Sequence, residues 1–316
     1  MFGELINVIK RAEKIAIFNH EHPDGDALGS AYALKLALLS LGKKADVFLR
    51  DGDEKSREYS LIMGTEKTGL EINECDLKIA VDCADKQRLG LFGEFFTGET
   101  IAIDHHVTHE EFAQNTVVVP DAPATAEIVF DLVCEMGLEL TKEIANNLYL
   151  GIVCDTGNFK YSSTTPKTLC TAAKLLETGI DFSEISRKVF STKTFKYLNI
   201  YKRGIEKLEI YADGKVALLA FTDDDFRQEG IDEREADGIT ILPVNVEGVE
   251  VGIYIRQRGE NEFKVSLRSN TSFDVSKIAV KFGGGGHVKA SGFTLKKPLD
   301  IAKAEVVNEI ENALAK

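Results

Sequence analysis

The chain has 316 residues, 44% hydrophobic and 28% charged, enough to bury a full core and to divide into about two domains. A net charge of −13 disfavours long duplex nucleic acid as a partner, because that binding draws on counterion release by many Lys and Arg contacts; short anionic substrates stay open, since clustered aspartates that hold cations are locally neutralised. The five cysteines are odd in number and form no CxxC pair, which argues against a disulfide framework and a structural zinc site and leaves them as expected buried thiols.

In chain order, Met1 to Ile9 is amphipathic without a signal-peptide pattern, and no apolar run approaches the roughly 20 residues of a membrane span, so a cytoplasmic protein is expected. Short apolar runs at Lys14 to Phe18, Ala45 to Leu49, Leu77 to Val81, Thr100 to Ile103 and Thr116 to Val119 read as strands. Helices between them, Ala27 to Leu41 before Gly42 and Ala124 to Met136 before Gly137, make this an α/β domain with a parallel sheet covered on both faces. Thr141 and Thr165 read as N-caps, the second with Pro166 at the first helical position. The expected boundaries are residues 1–190 for this domain, 191–208 for a helical connector and 209–316 for a smaller α+β domain. The last has strands at Val216 to Phe221, Val249 to Arg256, Phe263 to Leu267 and Ser291 to Leu295, and helices at Val275 to Lys281 and the C-terminus. The acidic run from Asp223 to Asp237 reads as a solvated helix start and face.

The chemistry concentrates at the ends of these elements. His20-Glu21-His22-Pro23-Asp24-Gly25-Asp26 follows a strand and precedes a helix, where open α/β sheets place their sites; a loop could turn His20, Asp24 and Asp26 inward, with Gly25 giving the backbone freedom. Asp82 ends the third strand, Asp104-His105-His106 the fourth, and Asp155 follows the apolar Leu148 to Val153. Carboxylate and imidazole ligands without cysteine suit manganese or another hard to borderline cation. So many carboxylates suggest two divalent ions sharing a bridging ligand, which would lower the pKa of water and clamp both oxygens of a displacement at phosphorus. His22 and His109 read as structural or exposed, Cys154 as packing and Lys43-Lys44 as a surface helix end. Arg256 and Arg258 are either a basic cleft wall or a solvated strand end.

Taken together, His20 to Asp26, Asp82-Cys83-Ala84-Asp85, Asp104-His105-His106 and Asp155 resemble, in order, the four motifs of the DHH phosphoesterase superfamily. Arg268-Ser269-Asn270 and Gly283-Gly284-Gly285-Gly286-His287, followed by Ala290-Ser291-Gly292, resemble its associated substrate-binding domain. The resemblance implies two metals, most simply Mn2+: His20, Asp24 and Asp82 on one, and Asp26, Asp82, His105 and Asp155 on the other, with Asp82 bridging. It places His106 on the reacting phosphate, Asp104 behind the histidines, and Arg268, Ser269, Asn270, Gly284, Gly285, Gly286 and His287 on the substrate. The implied activity is hydroxide attack on short oligoribonucleotides or linear dinucleotides such as 5′-pApA, releasing 5′-mononucleotides, with cyclic dinucleotides as further substrates. The alternatives are removal of the 3′-phosphate of adenosine 3′,5′-bisphosphate and a non-catalytic nucleotide-binding module. A homodimer is implied by the resemblance alone.

Overall fold

The computed structural model describes residues 2–236 and 238–315, so Met1, Lys316 and Asp237, the last residue of the acidic run, lie outside the described residues. The chain divides into two compact units, Met1–Thr192 and Lys193–Lys316. Among the described residues no helix is long and apolar enough to cross a membrane.

In the first unit α1 (Gly3–Arg11) leads into β1 (Lys14–Phe18), α2 (Gly25–Ser40), β2 (Lys44–Phe48), β3 (Leu77–Val81), β4 (Glu99–Asp104) and β5 (Asn115–Val118). Four further helices follow: α3 (Thr125–Glu135), α4 (Lys142–Asp155), α5 (Pro166–Glu177) and α6 (Phe182–Ser186). All five strands are parallel in the order β2-β1-β3-β4-β5. That order reverses direction between β1 and β3, and the splayed loops at such a reversal open a crevice at the carboxyl ends of the strands. Helix α2 is buried along nearly its whole length, from Gly25 to Leu38, because α3 and α4 pack over it. Its one lysine, Lys35, is satisfied in the interior by the Gly64 and Glu66 carbonyls and by Asp46 at 3.2 Å.

In the second unit α7 (Phe195–Glu206), β6 (Glu209–Tyr211), β7 (Val216–Phe221) and α8 (Asp223–Glu229) precede β8 (Val251–Gly259) and β9 (Glu262–Ser269). The unit closes with α9 (Val275–Lys281), β10 (Gly285–His287), β11 (Ala290–Lys296) and α10 (Leu299–Leu314). The sheet runs β10-β11-β9-β8-β7-β6, with only β7 and β8 parallel. Every residue of β7 is buried because both faces are covered: Val216, Leu218 and Ala220 meet α9 and α10, while Leu219 and Phe221 meet α7 and α8.

Several sequence expectations are corrected here. The helical stretch after Ser183 is not continuous: α6 runs into a wide turn at Arg187–Ser191, and α7 restarts at Phe195 with Thr194 as its cap. The acidic run does begin a helix and leaves Asp224, Asp232 and Glu235 exposed, but part of it is tied down by basic residues of the same unit. Asp225 is buried against Lys207 at 2.6 Å, Asp223 holds Arg256 at 2.7 Å, and Glu233 holds both Arg256 and Arg258. Arg256 is therefore buried in ion pairs, neither a cleft wall nor a solvated strand end. Of the cysteines, Cys75 and Cys83 are buried and Cys154 half-buried, but Cys134 and Cys170 are exposed.

Candidate metal centre

The turn between β1 and α2 starts helix α2 two residues earlier than the apolar pattern indicates. Asp24 is the N-cap, its Oδ1 accepting the amides of Asp26 (3.0 Å) and Ala27 (3.1 Å), so Asp26 stands in the first helical turn and not in a loop. Gly25 is helical as well. Its value is space, not freedom, since a Cβ there would stand 2.2 Å from the Cys154 sulfur.

Asp26 is fully buried, and the first two amides of α3 receive it: Thr125 N–H donates to Oδ2 at 2.6 Å and Ala126 N–H to Oδ1 at 2.9 Å. Those amides lack helical partners, so a carboxylate is favoured there. The Thr125 hydroxyl donates onward to Asp82 Oδ1 at 2.9 Å. Thr125 thus ties two acidic residues together, and nothing in its sequence context marks it beyond a place near a helix start. Gly151 on α4 makes room for the same carboxylate, because a Cβ there would lie 2.7 Å from Asp26 Oδ1 and 2.7 Å from the Ala126 Cβ. Gly151→Ala is expected to cost about 1–3 kcal/mol of stability through overpacking and to weaken divalent-cation binding. Thermal melts with calorimetric titration of Mn2+ check both effects, and unchanged cation affinity would remove Gly151 from the site.

Asp82 leaves β3 with φ +58°, a left-handed conformation that turns its side chain across the sheet edge. Its two oxygens face different histidines: Oδ2 lies 3.7 Å from His20 Nε2, and Oδ1 lies 3.6 Å from His105 Nε2. Both imidazoles are oriented by main-chain carbonyls, His20 Nδ1 by Glu21 O at 2.9 Å and His105 Nδ1 by Ala122 O at 3.2 Å. A carbonyl only accepts, so Nδ1 carries the proton and Nε2 presents its lone pair inward. Asp155, the last residue of α4, approaches His105 Nε2 to 3.3 Å. The donors gather as His20, Asp24 and Asp82 on one side and Asp26, His105 and Asp155 on the other, the donor atoms of each group within 4.8 Å of one another. His106 also groups with Asp82 and His105, but its Nδ1 is engaged by Asp104 Oδ1 at 2.7 Å.

The electrostatics fit a cation. Burial first, and then the charges of Asp82, Asp155 and Asp24, push Asp26 well above the usual carboxylate range. Asp82 is raised by burial and by Asp24, and Asp155 is pushed up to about 8 by burial, Asp24 and Asp82. An interior that resists its own negative charge, lined with inward imidazole lone pairs, is complementary to a divalent ion. Asp104 goes the other way: burial would raise it, but hydrogen bonds from His106 and His109 outweigh that and hold it at about 2. The same bond raises His106 above its ordinary value.

Residues 14–152 match the DHH family, N-terminal domain, and residues 213–316 match the DHHA1 domain. The chain is 35% identical to the bifunctional oligoribonuclease and PAP phosphatase NrnA of Thermus thermophilus, over 98% of this chain and 93% of that one. It belongs to the DHH family. A second relative, the cyclic-di-AMP phosphodiesterase PdeA of Listeria monocytogenes, is 28% identical over 98% of this chain but only 48% of its own length. Among solved structures, an exopolyphosphatase-related protein from Bacteroides fragilis superposes with a TM-score of 0.82 at 27% identity, covering 99% of this chain and 97% of that one.

The DHHA1 region carries the remaining residues singled out in the sequence. Across three adjacent strands His287 pairs with Ala290 and Ala290 with Arg268, so all three share one face of the sheet, with the small alanine between the imidazole and the guanidinium. The glycine run is not an open loop. The amides of Gly283 and Gly284 are used by the Val280 and Ala279 carbonyls at the end of α9, and side chains at Gly284 or Gly286 would collide with β11. Gly283, with φ +78°, and Gly285 face open space. Ser269 is buried in a turn with Thr271, and Asn270 Nδ2 donates to Val244 O at 2.5 Å.

Proposed function

We propose that the chain is a two-metal phosphodiesterase of very short oligoribonucleotides and linear dinucleotides, releasing 5′-mononucleotides. The observation that carries this reading is the split orientation of Asp82: one oxygen toward the His20 and Asp24 group, the other toward His105 and the Asp26 and Asp155 group. That arrangement is suited to a bridging ligand, with His20, Asp24 and Asp82 holding one ion and Asp26, Asp82, His105 and Asp155 the other. Bound divalent ions, most simply Mn2+, supply Lewis acidity and an activated water for in-line displacement at phosphorus. The chain's own groups do the rest. His106, held through Nδ1 by Asp104, keeps Nε2 for an oxygen of the reacting phosphate, and its raised pKa favours the charged, donating form. In the DHHA1 unit, Arg268 offers charge-assisted donors to an anionic group, with the His287 ring on the same face of the sheet.

A second reading, removal of the 3′-phosphate from adenosine 3′,5′-bisphosphate, is favoured by the double activity in the name of the Thermus relative. The same metals would serve both, since each reaction displaces an oxygen at phosphorus. The PdeA relative adds cyclic dinucleotides as candidates. The deciding experiment measures kcat/KM side by side for linear di- to pentanucleotides, cyclic dinucleotides, adenosine 3′,5′-bisphosphate and pyrophosphate with Mn2+ present. Linear dinucleotides are expected to lead; no turnover of any of them would remove the enzyme reading.

Arg268→Ala is expected to raise KM by about 10- to 100-fold, the weight of one lost hydrogen bond to a charged group, with kcat little changed. Steady-state kinetics on a 5′-phosphorylated dinucleotide checks it. A selective loss of kcat would contradict a role in substrate capture.

A further inference from the structure

Behind the proposed metal ligands, Asp104 sits fully buried at the end of β4, and three donors converge on its carboxylate. Oδ1 accepts the His105 amide at 2.8 Å and His106 Nδ1 at 2.7 Å, and Oδ2 accepts His109 Nδ1 at 2.7 Å. The His105 amide can only donate, which sets Asp104 as the acceptor at the centre of the cluster, and both imidazoles meet it through Nδ1. We propose that His109 is a positioning residue: by holding the far oxygen of Asp104, it fixes the orientation in which Asp104 holds His106.

The torsion about the last bond of an aspartate is intrinsically soft, with broad and roughly two-fold preferences. Held at one oxygen, the carboxyl group of Asp104 could rock and carry His106 with it. Held at both, it cannot. The local chain is arranged to deliver that second bond. A tight turn, His109 N–H to His106 O at 3.2 Å, folds His109 back under His106, and Glu110 N–H to Ala84 O at 2.8 Å anchors the next residue. Val107 within the turn is 83% exposed, so packing of the turn itself contributes little.

The histidine is a costly choice for a merely space-filling position. Its side chain is only 4% exposed, its ring lies 5.4 Å from Phe112, and its Nε2 is buried with no hydrogen-bond partner among the described residues. A leucine would fill the same apolar surroundings without leaving a buried nitrogen unpaired. Among the described residues the one polar contact of the His109 side chain is the bond to Asp104, and that bond is what the imidazole supplies.

The kinetic part of the test rests on the reading of His106 as a phosphate contact; the spectroscopic part does not. His109→Leu removes the donor and keeps the apolar volume, whereas His109→Asn keeps an N–H donor at the depth of Nδ1. In the full chain loaded with Mg2+, histidine side-chain 15N–1H correlation spectra should show the His106 Nδ1–H resonance in the wild type and in His109→Asn. In His109→Leu it should be broadened or shifted. On a 5′-phosphorylated dinucleotide His109→Leu should lose about 10- to 100-fold in kcat, the usual weight of a group supporting a site residue, with KM and cation affinity unchanged and most of kcat restored in His109→Asn. An unchanged His106 resonance in His109→Leu, or a His109→Asn protein as impaired as His109→Leu, would overturn the proposal. If the leucine variant does not fold, His109→Asn decides alone by keeping or losing that resonance and kcat. Absence of turnover in the wild type would sink the phosphodiesterase reading and leave the spectra to judge the positioning role.

Discussion

Asp82→Asn is expected to reduce turnover by a factor on the order of 10³ or more while leaving the fold intact. A shared metal ligand supports several kcal/mol of transition-state charge stabilisation, and each 1.36 kcal/mol is tenfold in rate. The structure selects asparagine over alanine for this test. Asp82 holds φ +58°, a conformation that Asn tolerates far better than Ala, and Asn preserves the volume and an acceptor for the Thr125 hydroxyl. The same change should raise the melting temperature of the metal-free protein at neutral pH, because it removes one of the buried carboxylates whose charges oppose one another. Rate, cation affinity and melting temperature should therefore move separately. Wild-type turnover in Asp82→Asn would refute the bridging role.

The second large effect is the pH dependence of stability without metal. Asp155 is raised to about 8 in the folded protein, against about 4 for an unfolded aspartate, and Asp26 and Asp82 are raised with it. A carboxyl group whose folded pKa is raised contributes stability that is fully present below the unfolded value and is lost as pH climbs through the folded value. The metal-free protein should therefore lose a few kcal/mol between about pH 4 and pH 8, with the coupled carboxyls releasing their protons as a set. Asp104, held at about 2, contributes stability that is lost only as pH falls toward that value, outside this window. Divalent cations favour the ionised carboxylates, so saturating Mn2+ should flatten or reverse the trend, with proton uptake by the buffer on binding. Calorimetric melts of chelator-treated and Mn2+-loaded protein from pH 5 to pH 8.5 test this. A metal-free melting temperature that is flat or rising over that range would mean that the cluster is not charge-crowded.

Much of the first domain is legible in the sequence. Five apolar runs marked five parallel strands, since strands buried on both faces carry continuous hydrophobic sequence, and Asp82 and Asp104 stood where those runs stopped. The beginning of α2 was misplaced because an apolar period reports where a helix is buried, whereas the first turn is set by the cap of Asp24 on the Asp26 and Ala27 amides. The resemblance assigned the glycine run to the substrate, and its close approach to β11 depends on strand pairing that no local pattern encodes.

The sequence by itself determined the kinds of donor present and the element ends on which they sit, because strand period and ligand chemistry are local properties. Only the tertiary structure decided how those donors share their work. Thr125 bonds to residues 43 and 99 positions away, Gly151 clears space for Asp26 from another helix, and the two oxygens of Asp82 divide between His20 and His105. His109, which reads in sequence as structural or exposed, meets Asp104 only because a turn folds it back under His106. These are relations across the crevice where the strand order reverses, and they exist only once the sheet has closed around it.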